Sequence, residues 1–353
     1  MIVCEGAGSP TEINLRAGDY VNMGLAQEFS LPVVVVGDID RGGVFASLYG
    51  TVALLDEADQ ALIRGLIINK FRGDIGLLRP GLDRIAELTG VPVLGVLPWL
   101  DEVWLDGEDT LQVGRWGASI GGAEPILRVA AIRFPRLSNV TDLDALACEP
   151  GVEVTMTADP GTVRAADLVV LPGSRATVSD LNWLRASGLA DAVRQAARRG
   201  TPVLGICGGF QMLGRTIDDP VESGAGRVAG LGLLPVEVAF APEKKLGTPA
   251  GHWQGHPVGG YEIHHGVATV GPGAGDESFL DGVRVGSFWG TMWHGAFEND
   301  DFRRAWLGTA TEGRFQADAE APGFGARREA MLDRLADAVA EHLDTDALLA
   351  LTR

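Results

Sequence analysis

The sequence predicts an α/β protein made of two α/β domains, each built on a mainly parallel sheet. Three observations carry that prediction. The chain has 353 residues, a length that ordinarily divides into two domains. Short apolar, β-branched runs alternate with helical segments, the rhythm of βαβ units in a parallel sheet covered by helices. The rhythm then breaks at Trp116-Gly-Ala-Ser-Ile-Gly-Gly-Ala-Glu-Pro125, which lacks periodicity and reads as a linker, and restarts at Leu127.

The elements follow in order. In the first domain, residues 1–115, Leu31 to Val36 is a buried strand and is followed by Gly37-Asp38-Ile39-Asp40-Arg41-Gly42-Gly43. Val44 to Leu55 reads as a helix, Arg64 to Asn69 as a strand, Leu82 to Thr89 as a helix and Val91 to Leu97 as the next strand. After a linker over 116–126, the second domain, 127–320, opens with the strand Leu127 to Ile132. A second strand, Asp167 to Leu171, ends in Pro172-Gly173-Ser174. Gly188 to Arg199 is an amphipathic helix, and Val203 to Ile206 is a strand that leads into Cys207. Gly230 to Val270 is rich in glycine and β-formers and reads as added antiparallel strands, and Val285 to Gly290 as a strand before His294. Residues 321–353 form a C-terminal helical segment. No internal repeat or low-complexity block is present.

Composition narrows the function. A net charge of -18 argues against nucleic acid and against an anionic membrane surface as partners. Cys4, Cys148 and Cys207 show neither metal-ligand spacing nor a disulfide framework, which fits a reducing cytoplasm. No signal-peptide pattern opens the chain and no apolar run reaches the length of a membrane span.

The strongest chemical signal is Thr201-Pro-Val-Leu-Gly-Ile-Cys207-Gly-Gly-Phe-Gln211. A strand ends in a cysteine flanked by glycines, and a helix is expected from Phe210 to Arg215. This is the pattern of a nucleophile elbow, a sharp turn that lifts one side chain out of the sheet. Gly205, Gly208 and Gly209 permit the turn, and a helix N-terminus behind the sulfur favours the thiolate. A cysteine nucleophile needs a base. Among six histidines, His294 follows a strand and precedes a loop, where an imidazole can face the elbow. His342 falls on a solvated helix face, Gly255 and Pro257 rule out a helical metal pair from His252 and His256, and His264 and His265 suit a structural or substrate-edge role. An oxyanion hole needs backbone N–H groups; Gly208 and the Gly173 turn are the candidates. In the first domain, Glu5, Asp38 and Asp40 follow strand ends, where hard oxygens can hold Mg²⁺; Asp38 and Asp40 can equally cap the next helix. Asn69 and Lys70 end another strand and suit the edge of an adenine.

The glycine-flanked cysteine, the Pro-Gly-Ser turn before it and the histidine after it resemble a class I glutamine amidotransferase domain, which has a flavodoxin-like fold. Many such domains carry a glutamate two residues after the histidine. Here that residue is Ala296, which resembles the branch working with a Cys–His pair; Glu298 is a second candidate for orienting the imidazole. Glu5 to Leu15, Asp38 to Gly50, Asn69 to Asp74 and Arg79 to Leu97 resemble a P-loop-type amidoligase domain related to dethiobiotin synthetase. With Leu127 to Asp144, Leu171 to Leu184, Tyr261 to Gly266 and Gly290 to Asp300, the resemblance is to the cobyric acid synthase family over nearly the whole chain.

The resemblance implies that Cys207 takes ammonia from L-glutamine and that ATP with Mg²⁺ activates carboxylates of a corrinoid, adenosylcobyrinic acid a,c-diamide, for amidation on the way to cobalamin. It implies ATP and Mg²⁺ binding by Glu5, Asp38, Asp40, Asn69 and Lys70, with Glu5 and Asp38 on the metal. A cytoplasmic enzyme is expected, and a homo-oligomer is compatible with it. The phosphate-loop lysine of that family is not matched: Lys70, Lys244 and Lys245 are the only lysines, and none lies in a glycine-rich loop or precedes Ser or Thr. The expectation is therefore a chain without its N-terminal phosphate loop, in which glutamine hydrolysis persists and amidation fails. Three alternatives stand beside this reading: a cobyrinic acid a,c-diamide synthase, the glutaminase partner of a cell-wall amidotransferase, and a non-catalytic nucleotide-sensing relative.

Overall fold

The computed structural model describes residues 2–100, 103, 115–116, 126–271 and 276–352. The chain forms two compact units, Met1–Trp104 with Glu329–Arg353, and Leu105–Arg328.

The first unit holds a three-stranded parallel sheet in the order β1 (Val33–Asp38), β2 (Ile63–Phe71), β3 (Val93–Pro98). Its helices are α1 (Met23–Glu28), α2 (Val44–Leu54), α3 (Glu57–Gln60) and α4 (Ile75–Thr89). Leu66 and Ile68 of β2 are fully buried and pack with Leu48 and Val52 of α2 and Ile85 of α4. Apolar residues on both faces are what a strand between helical layers requires. The helix expected from Leu82 starts seven residues earlier, at Ile75, because Asp74 caps it by accepting from the Gly76 amide at 2.8 Å. Pro80 lies inside that helix and forgoes one intrahelical hydrogen bond rather than ending it.

In the second unit the main sheet has eight strands. In chain order these are β4 (Arg115–Trp116), β5 (Leu127–Ile132), β6 (Val152–Thr157), β7 (Leu168–Leu171) and β8 (Val203–Ile206), then β15 (Asp276–Phe279), β16 (Gly282–Val285) and β17 (Phe288–Thr291). Their spatial order is β15-β16-β17-β8-β7-β5-β6-β4, parallel from β17 to β6. Between β8 and β15 come β9 (Thr216–Asp219), β10 (Gly226–Ala229), β11 (Val236–Gly247), β12 (Ala250–Trp253), β13 (His256–Gly259) and β14 (Glu262–Val270). They make a second sheet, β10-β9-β11-β14, and the hairpin β12-β13. The helices are α5 (Thr141–Ala147), α6 (Pro160–Ala165), α7 (Thr177–Ala186), α8 (Leu189–Arg198), α9 (Gly208–Leu213) and α10 (Asp300–Ala310). Then α11 (Phe324–His342) leads to α12 (Thr345–Ala350) in the first unit.

Arg115 and Trp116, expected at the end of the first domain and the start of the linker, pair antiparallel with Thr155 and Val154 of β6. Residues 117–125 of that linker lie outside the described residues. The single strand expected from Val285 to Gly290 is instead a hairpin: β16 ends at Val285, Gly286 turns the chain at a φ of 59°, and β17 starts at Phe288. An aromatic cluster sits beside β17. Trp289 meets Phe279 edge-on at 5.0 Å and Phe297 meets Trp306 edge-on at 4.8 Å, contacts worth about 0.5–1.5 kcal/mol each beyond burial.

Candidate active site

Strands β8 and β17 run side by side and parallel, with Gly290 opposite Gly205 and Thr291 opposite Ile206. Cys207 and the turn bearing His294 therefore leave the sheet at the same, carboxyl, end, the usual place for chemistry in such sheets. The Cys207 amide donates to the Thr291 carbonyl at 2.8 Å. Cys207 has φ 49° and ψ -110°, a strained conformation for a residue with a Cβ and a mark of functional turns. Helix α9 starts at once, at Gly208, rather than at Phe210, because Cys207 makes the turn itself. The glycines are steric necessities. A Cβ on Gly209 would stand 1.9 Å from the Leu171 carbonyl oxygen, and one on Gly205 would stand 2.7 Å from the Phe210 amide nitrogen.

The expected charge state of the sulfur is overturned. Cys207 is 6% exposed. Burial pushes its thiol up to about 12, against a smaller opposing hydrogen bond from the Gly208 amide. Desolvation and the nearby His264 together hold the His294 imidazole down at about 4. At neutral pH the site therefore rests as a thiol and a neutral imidazole.

Tyr261 holds His294 in place. The two residues exchange backbone hydrogen bonds, His294 N–H to Tyr261 O at 2.8 Å and Tyr261 N–H to His294 O at 2.9 Å. Their rings stack at 5.3 Å with an 18° interplanar angle. The His294 Nδ1 is buried and has no hydrogen-bond partner among the described residues. The turn beyond His294 is fastened instead by Asp142 of α5. Its Oδ2 accepts from the Gly295 amide at 3.0 Å and its Oδ1 from the Phe297 amide at 3.1 Å.

The Pro172-Gly173-Ser174 turn meets both groups. A Cβ on Gly173 would lie 2.8 Å from His294 Cε1, and one on Gly208 would lie 2.9 Å from the Ser174 amide nitrogen. Ser174 Oγ donates to Asp180 Oδ2 at 2.6 Å, and Asp180 is fully buried. Cys207, His294, Gly173 and Gly208 are thus gathered at one end of one sheet. Asp142, Asp180 and the ring of Tyr261 were not foreseen. All three lay in segments that carry the family resemblance, but none was given a role, because each acts through atoms that carry no local sequence pattern.

His264 and His265 are occupied structurally. His264 Nδ1 pairs with the Gly266 carbonyl at 2.8 Å and its Nε2 with Glu262 at 3.3 Å, while Lys245 pairs with the same Glu262 oxygen at 2.9 Å. His265 Nδ1 lies 3.0 Å from the Ala241 carbonyl oxygen.

In the first unit, Asp38 and Asn69 are register partners at the ends of β1 and β2. Lys70, at φ 64°, places Nζ 2.7 Å from Asp38 Oδ2. That hydrogen bond is the main reason the Asp38 carboxyl sits below the usual carboxylate range. Asp38 Oδ1 accepts from the Asp40 amide at 2.9 Å. Neither aspartate caps α2, whose N-cap is Gly43. Glu5 is exposed in an irregular segment, and Asp38 is paired with Lys70. No group of three or more His, Cys, Asp or Glu among the described residues could hold a metal ion by itself; a nucleotide-borne Mg²⁺ needs only one or two carboxylates beside the phosphates. No helix among them is long and apolar enough to cross a membrane.

Comparison with known proteins agrees with this geometry. Residues 128–302 match the CobB/CobQ-like glutamine amidotransferase domain and residues 1–104 match an AAA domain. The chain is 59% identical over its whole length to a cobyric acid synthase of Cutibacterium acnes, covering 74% of that protein. It is 56% identical to cobyric acid synthases of Mycolicibacterium gilvum and Streptomyces avermitilis, over 100% and 98% of this chain and 70% of each relative. With identity of this order across both units, the chain belongs to the cobyric acid synthase family.

Proposed function

We propose that Cys207 is the nucleophile that frees ammonia from glutamine and that His294 is its base. The observation that carries this is the strained elbow at Cys207 on β8, set beside the strand end that delivers His294. The enzyme acts in cobalamin biosynthesis by glutamine-dependent amidation. Relatives named cobyric acid synthase across the full chain, with the AAA match over 1–104, disfavour the diamide synthase, the cell-wall glutaminase and the non-catalytic reading.

Because thiol and imidazole are both neutral at rest, attack couples two events. His294 takes the thiol proton as Sγ bonds to the glutamine carboxamide carbon. The Gly173 and Gly208 amides then face the oxyanion. The C–N bond breaks, the amine takes the proton from the imidazolium, and ammonia leaves. Water, deprotonated by the same imidazole, cleaves the thioester to glutamate and restores the thiol. The ammonia acceptor is a corrinoid carboxylate, and adenosylcobyrinic acid a,c-diamide is the acceptor we propose. ATP supplies the activation; Asn69 and Lys70 are the proposed nucleotide contacts, and Glu5, Asp38 and Asp40 the carboxylates that would meet a nucleotide-borne Mg²⁺, Glu5 and Asp38 on the metal itself.

Glutamine hydrolysis, followed by glutamate release, tests the catalytic pair. Cys207→Ser is expected to lose roughly a thousandfold or more in kcat, and His294→Ala roughly a hundredfold or more. A glutamine-analogue electrophile should label Cys207 and leave Cys207→Ser unlabelled. Full hydrolysis by His294→Ala would remove that residue from the site.

A further inference from the structure

The branch of amidotransferases to which this site is similar lacks the acid two residues after the histidine, and here Ala296 stands in that place. Something must still fix the imidazole, since its Nδ1 has no hydrogen-bond partner among the described residues. We propose that Asp142 is a positioning residue for His294, acting through the backbone: its carboxylate clamps the Gly295 and Phe297 amides and so sets where the imidazole stands relative to Cys207. This rests on the assignment of His294 as the base.

The geometry supports the clamp from several sides. Each carboxylate oxygen of Asp142 takes one amide, at 3.0 and 3.1 Å, and Asp142 is 3% exposed. Gly295 adopts a φ of 71°, a conformation that favours glycine. The Phe297 carbonyl is tied from the opposite side by Arg303 Nη1 at 2.8 Å. The turn is therefore held between a buried carboxylate and a buried guanidinium, with His294 at its entrance.

The clamp requires charge. A carboxylate accepts at both oxygens, whereas a protonated carboxyl must place a hydrogen on one of them, facing an N–H donor. The titratable groups that act on Asp142 are Glu298 on the turn and Tyr261, whose ring stacks on His294. Burial, with Glu298 adding repulsion, pushes the Asp142 carboxyl up to about 7, against the pull of the two amides. The clamp is complete above that pH and opens as pH falls through it. His294 titrates well below, at about 4, so the two acid limbs are separable.

The test is the pH profile of kcat for glutamine hydrolysis in the full chain. Wild type is expected to show an acid limb near pH 7, and Glu298→Gln to move that limb to lower pH. Asp142→Asn is expected to lose about 10- to 100-fold in kcat, the cost of a small misplacement, with KM changed less than threefold (about half a log unit) and the limb gone. Retention of the limb in Asp142→Asn, or no shift in Glu298→Gln, overturns the proposal. If Asp142→Asn does not fold, the wild-type and Glu298→Gln profiles decide alone. If His294→Ala hydrolyses glutamine normally, the base assignment has failed; if only Asp142→Asn behaves as wild type, this inference has failed and the base stands.

Discussion

At the scale of the residue, the site is a set of polar groups taken out of water before any substrate arrives. Burial raises the Cys207 thiol and lowers the His294 imidazole, so neither is charged until a proton passes between them. Asp142 is the telling case, because the pH that serves catalysis opposes stability. Its folded carboxyl lies at about 7 against an ordinary value of 3.8, so the folded state holds a proton that the unfolded state releases. Its contribution to stability is present below the ordinary value and is lost as pH rises through the folded one. Urea unfolding at about pH 5 and pH 8 should therefore show wild type losing stability relative to Asp142→Asn as pH rises. A constant difference between the two proteins would contradict the raised carboxyl.

The element scale explains why the elbow was legible and the clamp was not. Gly205, Gly208 and Gly209 mark a place where helix and strand backbones nearly touch, and such a demand is written locally. Gly209→Ala would set a methyl carbon against the Leu171 carbonyl. It is expected to destabilise the second unit by about 1–3 kcal/mol or more and to abolish glutamine hydrolysis. Gly200→Ala, at a φ of 83° but in open space, should cost only about 1–2 kcal/mol from backbone strain and leave hydrolysis intact. The parallel strands were legible as apolar runs, since β7 and β8 are buried at every position. Asp142 was not, because it binds backbone amides 153 and 155 residues away, and any residue type could have supplied those amides. The hairpin at Gly286 was hidden for a related reason: only Gly286 and Ser287 separate β16 from β17, and the turn is made by the φ of that glycine.

Across the whole molecule, chain order and spatial order part company at the C-terminus. Leu343 pairs antiparallel with Gly95 of β3, and the Asp344 amide donates to the Leu94 carbonyl at 2.7 Å. An isolated bridge thus ties the segment between α11 and α12 to β3 of the first unit, a connection no local pattern announces. Gly95 has a φ of 150°, and a Cβ there would come within 2.3 Å of the His342 carbonyl oxygen. Gly95→Val should release this segment, seen as faster trypsin cleavage after Arg334, while glutamine hydrolysis stays within twofold (about 0.4 kcal/mol) of wild type. Unchanged cleavage would show that the pairing does not hold the segment.

The paired hydrogen bonds between Tyr261 and His294 have a consequence in time. They tie the strand bearing the base to the chain that enters β14, in another sheet of the same unit. The His294 backbone leaves its place beside the nucleophile strand only when both bonds break. Amide exchange with solvent at these two positions is then expected to be correlated, and its opening rate to report how long the backbone that carries the base stays in place.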